Sequence, residues 1–145
     1  MHEQTVDQSR KALRLAYGIV PIVAGADKFT NLLADWTKYL SLLSRKLIPV
    51  RPSTFMRVVG VIEMGAGALV LTKYARLGGY IVGAWLGAIA AQLLTDRRYR
   101  DIAVRDAVMA LGAITLAKLT EATAERRERK RPVERTRYEP LYATD

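Results

Sequence analysis

The chain contains no cysteine and one histidine among its 145 residues. Without cysteine it has no disulfide, no thiolate nucleophile, no iron–sulfur cluster and no zinc site built from thiolates. Its histidine, His2, lies in a polar amino-terminal segment, which excludes ligation of haem by two histidines inside an apolar core. No motif of the GxGxxG or GxxxxGK type is present to bind a nucleotide phosphate. We therefore expect no catalytic residues in the chain itself, and a redox cofactor would have to come from a partner.

Charged side chains are almost absent from the middle of the chain. Residues 77–95 carry none, and at about 1.5 Å per residue they would cover roughly the 30 Å hydrocarbon core of a bilayer. Residues 55–74 form a second apolar segment, and residues 12–33 and 102–119 form two more with charges inside them. The pattern predicts an all-α integral membrane protein in which residues 1–120 form a single bundle of four transmembrane helices.

A water-soluble bundle with buried helices is the alternative for these segments. It would have to place glycines inside helices, each at a cost of up to about 1 kcal/mol relative to alanine in water. These glycines are Gly65, Gly67, Gly78, Gly79, Gly83 and Gly87. Membrane helices contain glycine more often, because small residues let neighbouring helices approach closely. The glycine content thus favours the membrane class.

The first apolar segment also has some features of a cleaved signal peptide. A basic region at residues 10–14 precedes the apolar residues 15–23, and Ala24-Gly25-Ala26 has the small-x-small pattern of a cleavage site. Against cleavage, the apolar character resumes after Lys28 with Phe29 and two leucines. We therefore interpret the segment as a membrane span.

Lysines and arginines predict the orientation of the bundle. With four crossings, the termini and the turn at residues 73–76 share one side, which receives thirteen of the 23 Lys and Arg residues, against eight on the other side. Because positively charged loops stay in the cytoplasm, both termini are expected there, in the inner membrane of a bacterium or archaeon. The basic tail, residues 121–145, would then be cytoplasmic. Its charge fits attraction to anionic lipids better than binding to nucleic acid.

Five ionisable residues lie inside or at the rim of the apolar segments, where an unpaired charge is costly and marks a functional site by default. They are Asp27, Lys28, Glu63, Arg105 and Asp106. Because consecutive helices alternate in direction, all five are expected near one membrane face, the outer one in the predicted orientation. Gln92 is expected at the same level. Asp27 and Lys28 point about 100° apart on a helix, so each should find its partner on another helix.

This charge cluster permits two interpretations. It can form a polar pocket for a quinone headgroup, a lipid headgroup or an exchangeable proton, or it can be an ion-pair clasp that fixes the order of the helices without a ligand. Glu63 has glycine at positions 60, 65 and 67, which leaves room for a cavity but equally allows close helix contact. In addition, Asp101 and Arg105 have the i, i+4 spacing for a direct pair.

The third apolar segment carries small residues at four-residue spacing, which lets a neighbouring backbone approach. They are Gly79, Gly83, Gly87 and Ala91. The stripe predicts helix packing, either against another helix of the same chain or against a second protein.

Residues 34–54 form the only long connection between the predicted spans. Their aromatic and leucine side chains alternate with basic ones in a pattern typical of an amphipathic helix lying in the membrane interface, which Pro49 and Pro52 would end. Such a segment could cover the charge cluster, contact a partner protein or only anchor the loop.

The segments YGIVPIVAGADKF and GVIEMGAGALVL, followed by a glycine-rich third span and a charged start to the fourth, resemble the DoxX and DoxX-like family of small four-helix membrane proteins. The resemblance covers residues 13–119, and its most specific elements are residues 25–29 and residues 60–63. Residues 101–113 lie outside the recurrent pattern. Family members are similar to the membrane subunit of thiosulfate:quinone oxidoreductase or are associated with membrane redox complexes, so the resemblance implies a quinone-linked role. It places Lys28 and Glu63 on recurrent polar positions.

We therefore expect an accessory, non-catalytic subunit of a respiratory or other redox complex that takes part in electron transfer. Its contacts would be lipid, membrane-protein partners or further copies of itself, and its candidate ligand is a quinone rather than a covalently bound cofactor. Two alternatives remain open. One is a structural assembly protein without a ligand; the other is a small proton-coupled carrier that acts as an oligomer and uses Glu63 as its titrating group.

Overall fold

A computed structural model describes residues 2–95 and 97–130, and within these residues every regular element is helical. The five α-helices of this described part are α1 (His2–Thr30), α2 (Leu42–Leu47), α3 (Pro52–Leu71), α4 (Ala75–Leu94) and α5 (Arg100–Arg129). Short 3-10 turns lie at Trp36–Tyr39 and Arg97–Tyr99. The predicted all-α class is confirmed. The last 15 residues of the predicted tail, 131–145, lie outside the described residues.

By length and composition, α3 and α4 can each cross a membrane. The other two long helices do not meet the same criterion, since their apolar parts contain more charged residues, such as Asp27 and Lys28 in α1 and Arg105 and Asp106 in α5. Two apolar helices of sufficient length support the membrane class.

Helices α1 and α3 pack with their backbones in close contact, and glycine on both helices makes this possible. A Cβ atom on Gly60 would lie 2.5 Å from the carbonyl oxygen of Gly25, and one on Gly67 would lie 2.5 Å from the carbonyl oxygen of Gly18. Only glycine allows two backbones to approach so closely. The two contacts also show that the helices run antiparallel, because residues rise along one as they fall along the other.

A second close pair is formed by α4 and α5. Gly79 packs against the carbonyl of Ala113, and Gly83 packs against Ile114 and Ala110. The buried face of α5 is otherwise made mainly of alanine, and its buried members are Ala103, Asp106, Ala110, Ala113, Leu116 and Ala117. The bundle therefore consists of two tightly packed helix pairs.

The two pairs meet in a small apolar core near the turn that joins α3 to α4. Val70, Val82 and Leu116 are buried there, together with Ala66 and Ala113. We call this end of the bundle the turn end, and the opposite end, which carries residues 31–51, the loop end.

Arg14 closes the turn end. Helix α3 finishes at Leu71, which leaves its last carbonyl groups without partners inside the helix. The Arg14 guanidinium donates to the carbonyl oxygens of Val70, Leu71 and Thr72 at 3.0, 2.6 and 2.8 Å. A cation at this position also interacts favourably with the negative end of the helix dipole. One side chain of α1 thus caps α3 and fixes the position of the two helices relative to each other along their axes.

The long helices α1 and α5 continue past the turn end. Residues 2–13 of α1 precede Arg14, a length of about 18 Å at 1.5 Å per residue. Glu121 of α5 pairs at 3.1 Å with Arg76, which lies at the start of α4, so residues 121–130 extend in the same direction. We call residues 2–13 and 121–130 together the stalk.

At the loop end, residues 31–51 fold differently from the single amphipathic helix predicted from their sequence. Asn31 adopts a positive φ of 51° and ends α1. The segment then forms only the Trp36–Tyr39 turn and the six-residue helix α2, whose start is capped by the Ser41 side chain. Pro52 does not end a helix here but begins α3, where the missing N–H of proline costs nothing.

Candidate functional site

The centre of the candidate site is an ion pair between Lys28 of α1 and Glu63 of α3. Lys28 Nζ lies 2.5 Å from Glu63 Oε2, and the two side chains are only 4% and 10% exposed. Lys28 sits near the end of α1, but its side chain runs back along the helix, so that Nζ also lies 3.4 Å from the carbonyl oxygen of Ala24. The lysine therefore carries its charge into the bundle rather than out to the surface.

Gly60 explains why these two side chains can meet. Its missing side chain leaves the space that the Lys28 Cβ and the Phe29 ring occupy, since a Cβ on Gly60 would lie 3.2 Å from each. Glu63 follows one turn later on the same helix. The close approach at Gly25 and Gly60 thus places the lysine stem directly beside the carboxylate.

Both tryptophans of the chain flank the ion pair. The Trp36 ring lies under Lys28, with Nζ 3.7 Å from the ring centroid, which is a close cation–π contact. Trp85 of α4 donates its indole N–H to Glu63 Oε1 at 3.4 Å. Lys28 Nζ and Trp85 Nε1 therefore approach different oxygens of one carboxylate.

Asp27 has a different role from that of its neighbour Lys28. Its carboxylate accepts hydrogen bonds from the backbone N–H groups of Leu32, Leu33 and Ala34, at 2.8 to 3.3 Å. It also accepts the indole N–H of Trp36 at 2.7 Å and the hydroxyl of Thr30 at 3.0 Å. Asp27 therefore holds the segment that places the Trp36 ring against Lys28 Nζ.

The segment held by Asp27 covers the ion pair from the loop end. We call residues 31–41 the lid segment. It is also attached to α4, because Gln92 Nε2 donates to the Tyr39 carbonyl at 3.4 Å. Leu40 and Ser41 at its end are buried, and the Tyr39 ring packs edge-on against Tyr99 with centroids 5.3 Å apart. Gln92, predicted at the level of the charges, thus contacts the lid segment rather than the charges.

The other two charges of the predicted cluster form a separate pair. Asp106 is buried in the alanine face of α5, and Arg105 Nε and Nη2 both lie 2.9 Å from its Oδ1. The Arg105 side chain is 63% exposed, so in this pair an exposed guanidinium covers a buried carboxylate. The Arg105 guanidinium thus bonds its immediate neighbour, whereas its spacing from Asp101 had suggested that partner.

The predicted stripe of small residues on α4 is used unevenly. Gly79 and Gly83 lie in the contact with α5 described above. Around Gly87 there is no atom within 4 Å of where a Cβ would be, and Ala91 is exposed. Packing within the described chain therefore accounts for the half of the stripe nearer the turn end.

Sequence reasoning did not find Trp36, Trp85 or Arg14. The two tryptophans had a usable signal, because they are the only ones in the chain and one interrupts an otherwise small and aliphatic helix. In the sequence, Arg14 belongs to the basic region at residues 10–14 and to the charges that predict orientation, and nothing in its spacing indicates that it caps α3.

The contacts define what the site can do chemically. Lys28 Nζ and Trp85 Nε1 are hydrogen-bond donors that reach the two oxygens of the Glu63 carboxylate from α1 and α4. A ligand with an acceptor oxygen could use one of these donors in place of a Glu63 oxygen. To reach Lys28 it would have to displace Glu63, the Ala24 carbonyl or the Trp36 ring, since these three surround Nζ.

The fold and site define an all-helical protein with two helices able to cross a membrane and a buried, tryptophan-flanked ion pair. No protein-family model, curated protein or solved structure matches the chain.

Proposed function

We propose that the chain is a multi-pass membrane protein in which α1, α3, α4 and α5 all cross the bilayer. The support is the apolar surface of the bundle, because each of the four helices exposes large apolar side chains along its middle. Examples are Leu15, Ile19, Val20 and Val23 on α1; Val58, Val61 and Ile62 on α3; Leu77, Tyr80 and Ile81 on α4; and Val104, Val108 and Leu111 on α5. Soluble monomers rarely expose a continuous apolar patch of more than a few hundred Å².

The burial of the two candidate spans supports the same proposal. Only 39% of the apolar window of α3 and 33% of that of α4 is buried inside the protein. The core helix of a soluble protein would be mostly buried. Lipid around the bundle would cover the remaining apolar surface, and the positive charge near the turn end would keep that end and the stalk in the cytoplasm.

We further propose that the protein is an accessory, non-catalytic subunit of a quinone-linked membrane complex, as its resemblance to DoxX-like proteins suggests. The observation that carries this proposal is the pair of donors, Lys28 Nζ and Trp85 Nε1, that reach the two oxygens of one carboxylate inside an apolar bundle. A quinone carbonyl is an acceptor that could replace one Glu63 oxygen there, while the ring would lie among apolar and aromatic side chains, as in most small-molecule sites.

Access to this position would require the lid segment to move. Its Trp36 ring covers Lys28 at the loop end, and the Asp27 hydrogen bonds and the Gln92 contact hold it in place. Release of these bonds would uncover the lysine without disturbing the glycine contacts between α1 and α3.

The ion-pair clasp is the second candidate, and one observation favours it. Lys28 Nζ already has a carboxylate, a carbonyl oxygen and an aromatic face as partners, so its interactions are satisfied without a ligand. In that case the protein would be a structural or assembly subunit, and the pair would serve only to fix α1 against α3.

Intrinsic fluorescence separates the two candidates, because both tryptophans adjoin the pair. The protein in lipid nanodiscs is titrated with a short-chain benzoquinone, whose ring quenches a nearby indole. For a quinone site we expect saturable quenching that is lost in the double variant Lys28→Met/Glu63→Leu and kept in the control Arg105→Gln. Equal quenching of all three proteins, rising linearly with quinone in the lipid, would favour the clasp.

A cross-linking experiment tests the role of the lid segment. The chain has no cysteine, so Tyr39→Cys and Gln92→Cys introduce one unique thiol pair. A short bis-maleimide that joins them should abolish saturable quenching, whereas each single variant treated in the same way should keep it. Undiminished quenching after cross-linking would show that the ligand does not enter beneath this segment.

A further inference from the structure

The stalk contains a groove between α1 and α5 that the quinone proposal does not use. It has a volume of about 170 Å³, and its lining residues are Val6, Asp7, Thr123, Arg126, Arg127 and Lys130. It lies at the end of the bundle opposite the lid segment. Three of the six lining side chains are basic and one is acidic.

The single acidic residue of the groove is already neutralised by its own helix. Asp7 Oδ1 lies 2.6 Å from Arg10 Nη2, and Asp7 Oδ2 lies 3.0 Å from Lys11 Nζ. The hydrogen bonds from Arg10 and Lys11 lower the pKa of Asp7 to about 2, so the carboxylate is ionised and paired at neutral pH. It therefore does not compensate the cations on α5.

The two arginines that line the groove have no such compensation within the described part of the chain. Neither Arg126 nor Arg127 forms an ion pair with another residue in the ranges 2–95 and 97–130. On the α1 side, Arg10 Nε is buried and has no hydrogen-bond partner among these residues, although Arg10 is only one turn from Asp7. Arg126 and Arg127 thus bring uncompensated positive charge to the groove, near an unused donor of Arg10.

We propose that this groove binds a phosphate-bearing anion, and that the ligand is the headgroup of an anionic phospholipid. Arginine matches phosphate oxygens with two parallel N–H donors, and its guanidinium stays charged at any physiological pH. The volume exceeds that of one phosphate group and leaves room for part of a glycerol headgroup.

On the proposed membrane placement, the groove lies just outside the headgroup layer of the cytoplasmic leaflet. Val6 lies eight residues before Arg14, or about 12 Å beyond the end of α3, while the headgroup layer extends about 5–8 Å beyond the hydrocarbon. Arginine side chains of the groove can bridge the remaining distance to a headgroup. The cytoplasmic leaflet also holds anionic lipid at high local concentration.

Matched arginine variants test this site. Arg127 lines the groove, whereas Arg129 lies two residues further along α5, is exposed and does not line it. The full chain in mild detergent is mixed with phosphatidylglycerol, and bound lipid is counted by native mass spectrometry. We expect Arg127→Gln to weaken binding about fivefold, a typical loss for one basic residue near an anionic surface, and Arg129→Gln to change it less than twofold. Equal losses would show diffuse attraction and overturn the site.

Two further arms identify the source of the phosphate and separate this proposal from the membrane proposal. Inorganic phosphate or glycerol phosphate is added in competition, and displacement of the lipid at similar concentration would overturn the lipid assignment in favour of a soluble phosphate. Association with neutral phosphatidylcholine vesicles is measured in parallel for the same variants. Failure to associate with them would refute the membrane placement, whereas association with them combined with equal phosphatidylglycerol binding by Arg127→Gln and Arg129→Gln would refute the groove alone.

Discussion

Breaking the Lys28–Glu63 pair on one side should destabilise the protein far more than removing both charges. Lys28→Met leaves a buried carboxylate with the Trp85 indole as its remaining side-chain partner, and Glu63→Leu leaves a buried ammonium with only Ala24 and Trp36. Each change should cost about 3–5 kcal/mol, the usual penalty for an uncompensated buried charge.

The double variant Lys28→Met/Glu63→Leu should recover most of that loss, because neither charge is then left unpaired and the side-chain volumes are similar. A net cost of about 1–2 kcal/mol or less is expected. The difference between the double variant and the sum of the single variants would measure the coupling of the two residues.

Unfolding by SDS in mixed micelles, followed by far-ultraviolet circular dichroism, supplies the free energies. The exposed ion pair between Arg76 and Glu121 is the control. Since these side chains are 60% and 39% exposed, Arg76→Met should cost less than about 1 kcal/mol. Additive effects of the two single variants, or single losses as small as that of Arg76→Met, would refute the assignment of a coupled buried pair.

Three further outcomes are expected from the packing. Gly60→Ala should cost about 1–3 kcal/mol in the same unfolding assay, because its Cβ would lie 2.5 Å from a backbone oxygen. Gly65→Ala, whose Cβ would have no atom within 4 Å, should cost nothing measurable. Equal losses would contradict the α1–α3 contact. Arg14→Met should lower the free energy of unfolding by about 2–3 kcal/mol, since it leaves the α3 carbonyls unpaired. Backbone amide hydrogen exchange should become faster first in the last turn of α3. Unchanged exchange there would argue against capping. Asp27→Asn should loosen the lid segment and increase acrylamide quenching of Trp36, measured with Trp85 replaced by Phe, and unaltered quenching would show that Asp27 does not hold the segment.

The helices were largely predictable from the sequence, because long apolar segments bounded by turns leave few alternatives. The predicted segment 77–95 corresponds to α4 at Ala75–Leu94, and 55–74 corresponds to α3 at Pro52–Leu71. The predicted segments 12–33 and 102–119 each lie largely within a longer helix, because α1 and α5 continue into polar sequence that no apolar pattern marks.

For the candidate site, the sequence predicts only how deep in the bundle each residue lies along its helix. Alternating helix direction predicts Lys28 and Glu63 at the same level, and in the structure they form an ion pair. Alternating helix direction does not predict how each helix is rotated about its own axis, and this rotation decides which side chains meet. Asp106 faces the alanine side of α5, and its contact is Arg105. The fold of the lid segment could not be predicted either, because it depends on five hydrogen-bond donors to the Asp27 carboxylate and not on a repeating sequence pattern.

The separation of Lys28 and Glu63 along the chain has a consequence for biosynthesis. The two residues are 35 positions apart, and at about 5–20 residues per second the ribosome adds the glutamate roughly 2–7 s after the lysine. For a chain that enters the bilayer as it is made, α1 would wait that long with its ammonium unpaired. We therefore expect the first helix to stay beside the insertion machinery until the third arrives, so that the pair of helices is released into lipid together.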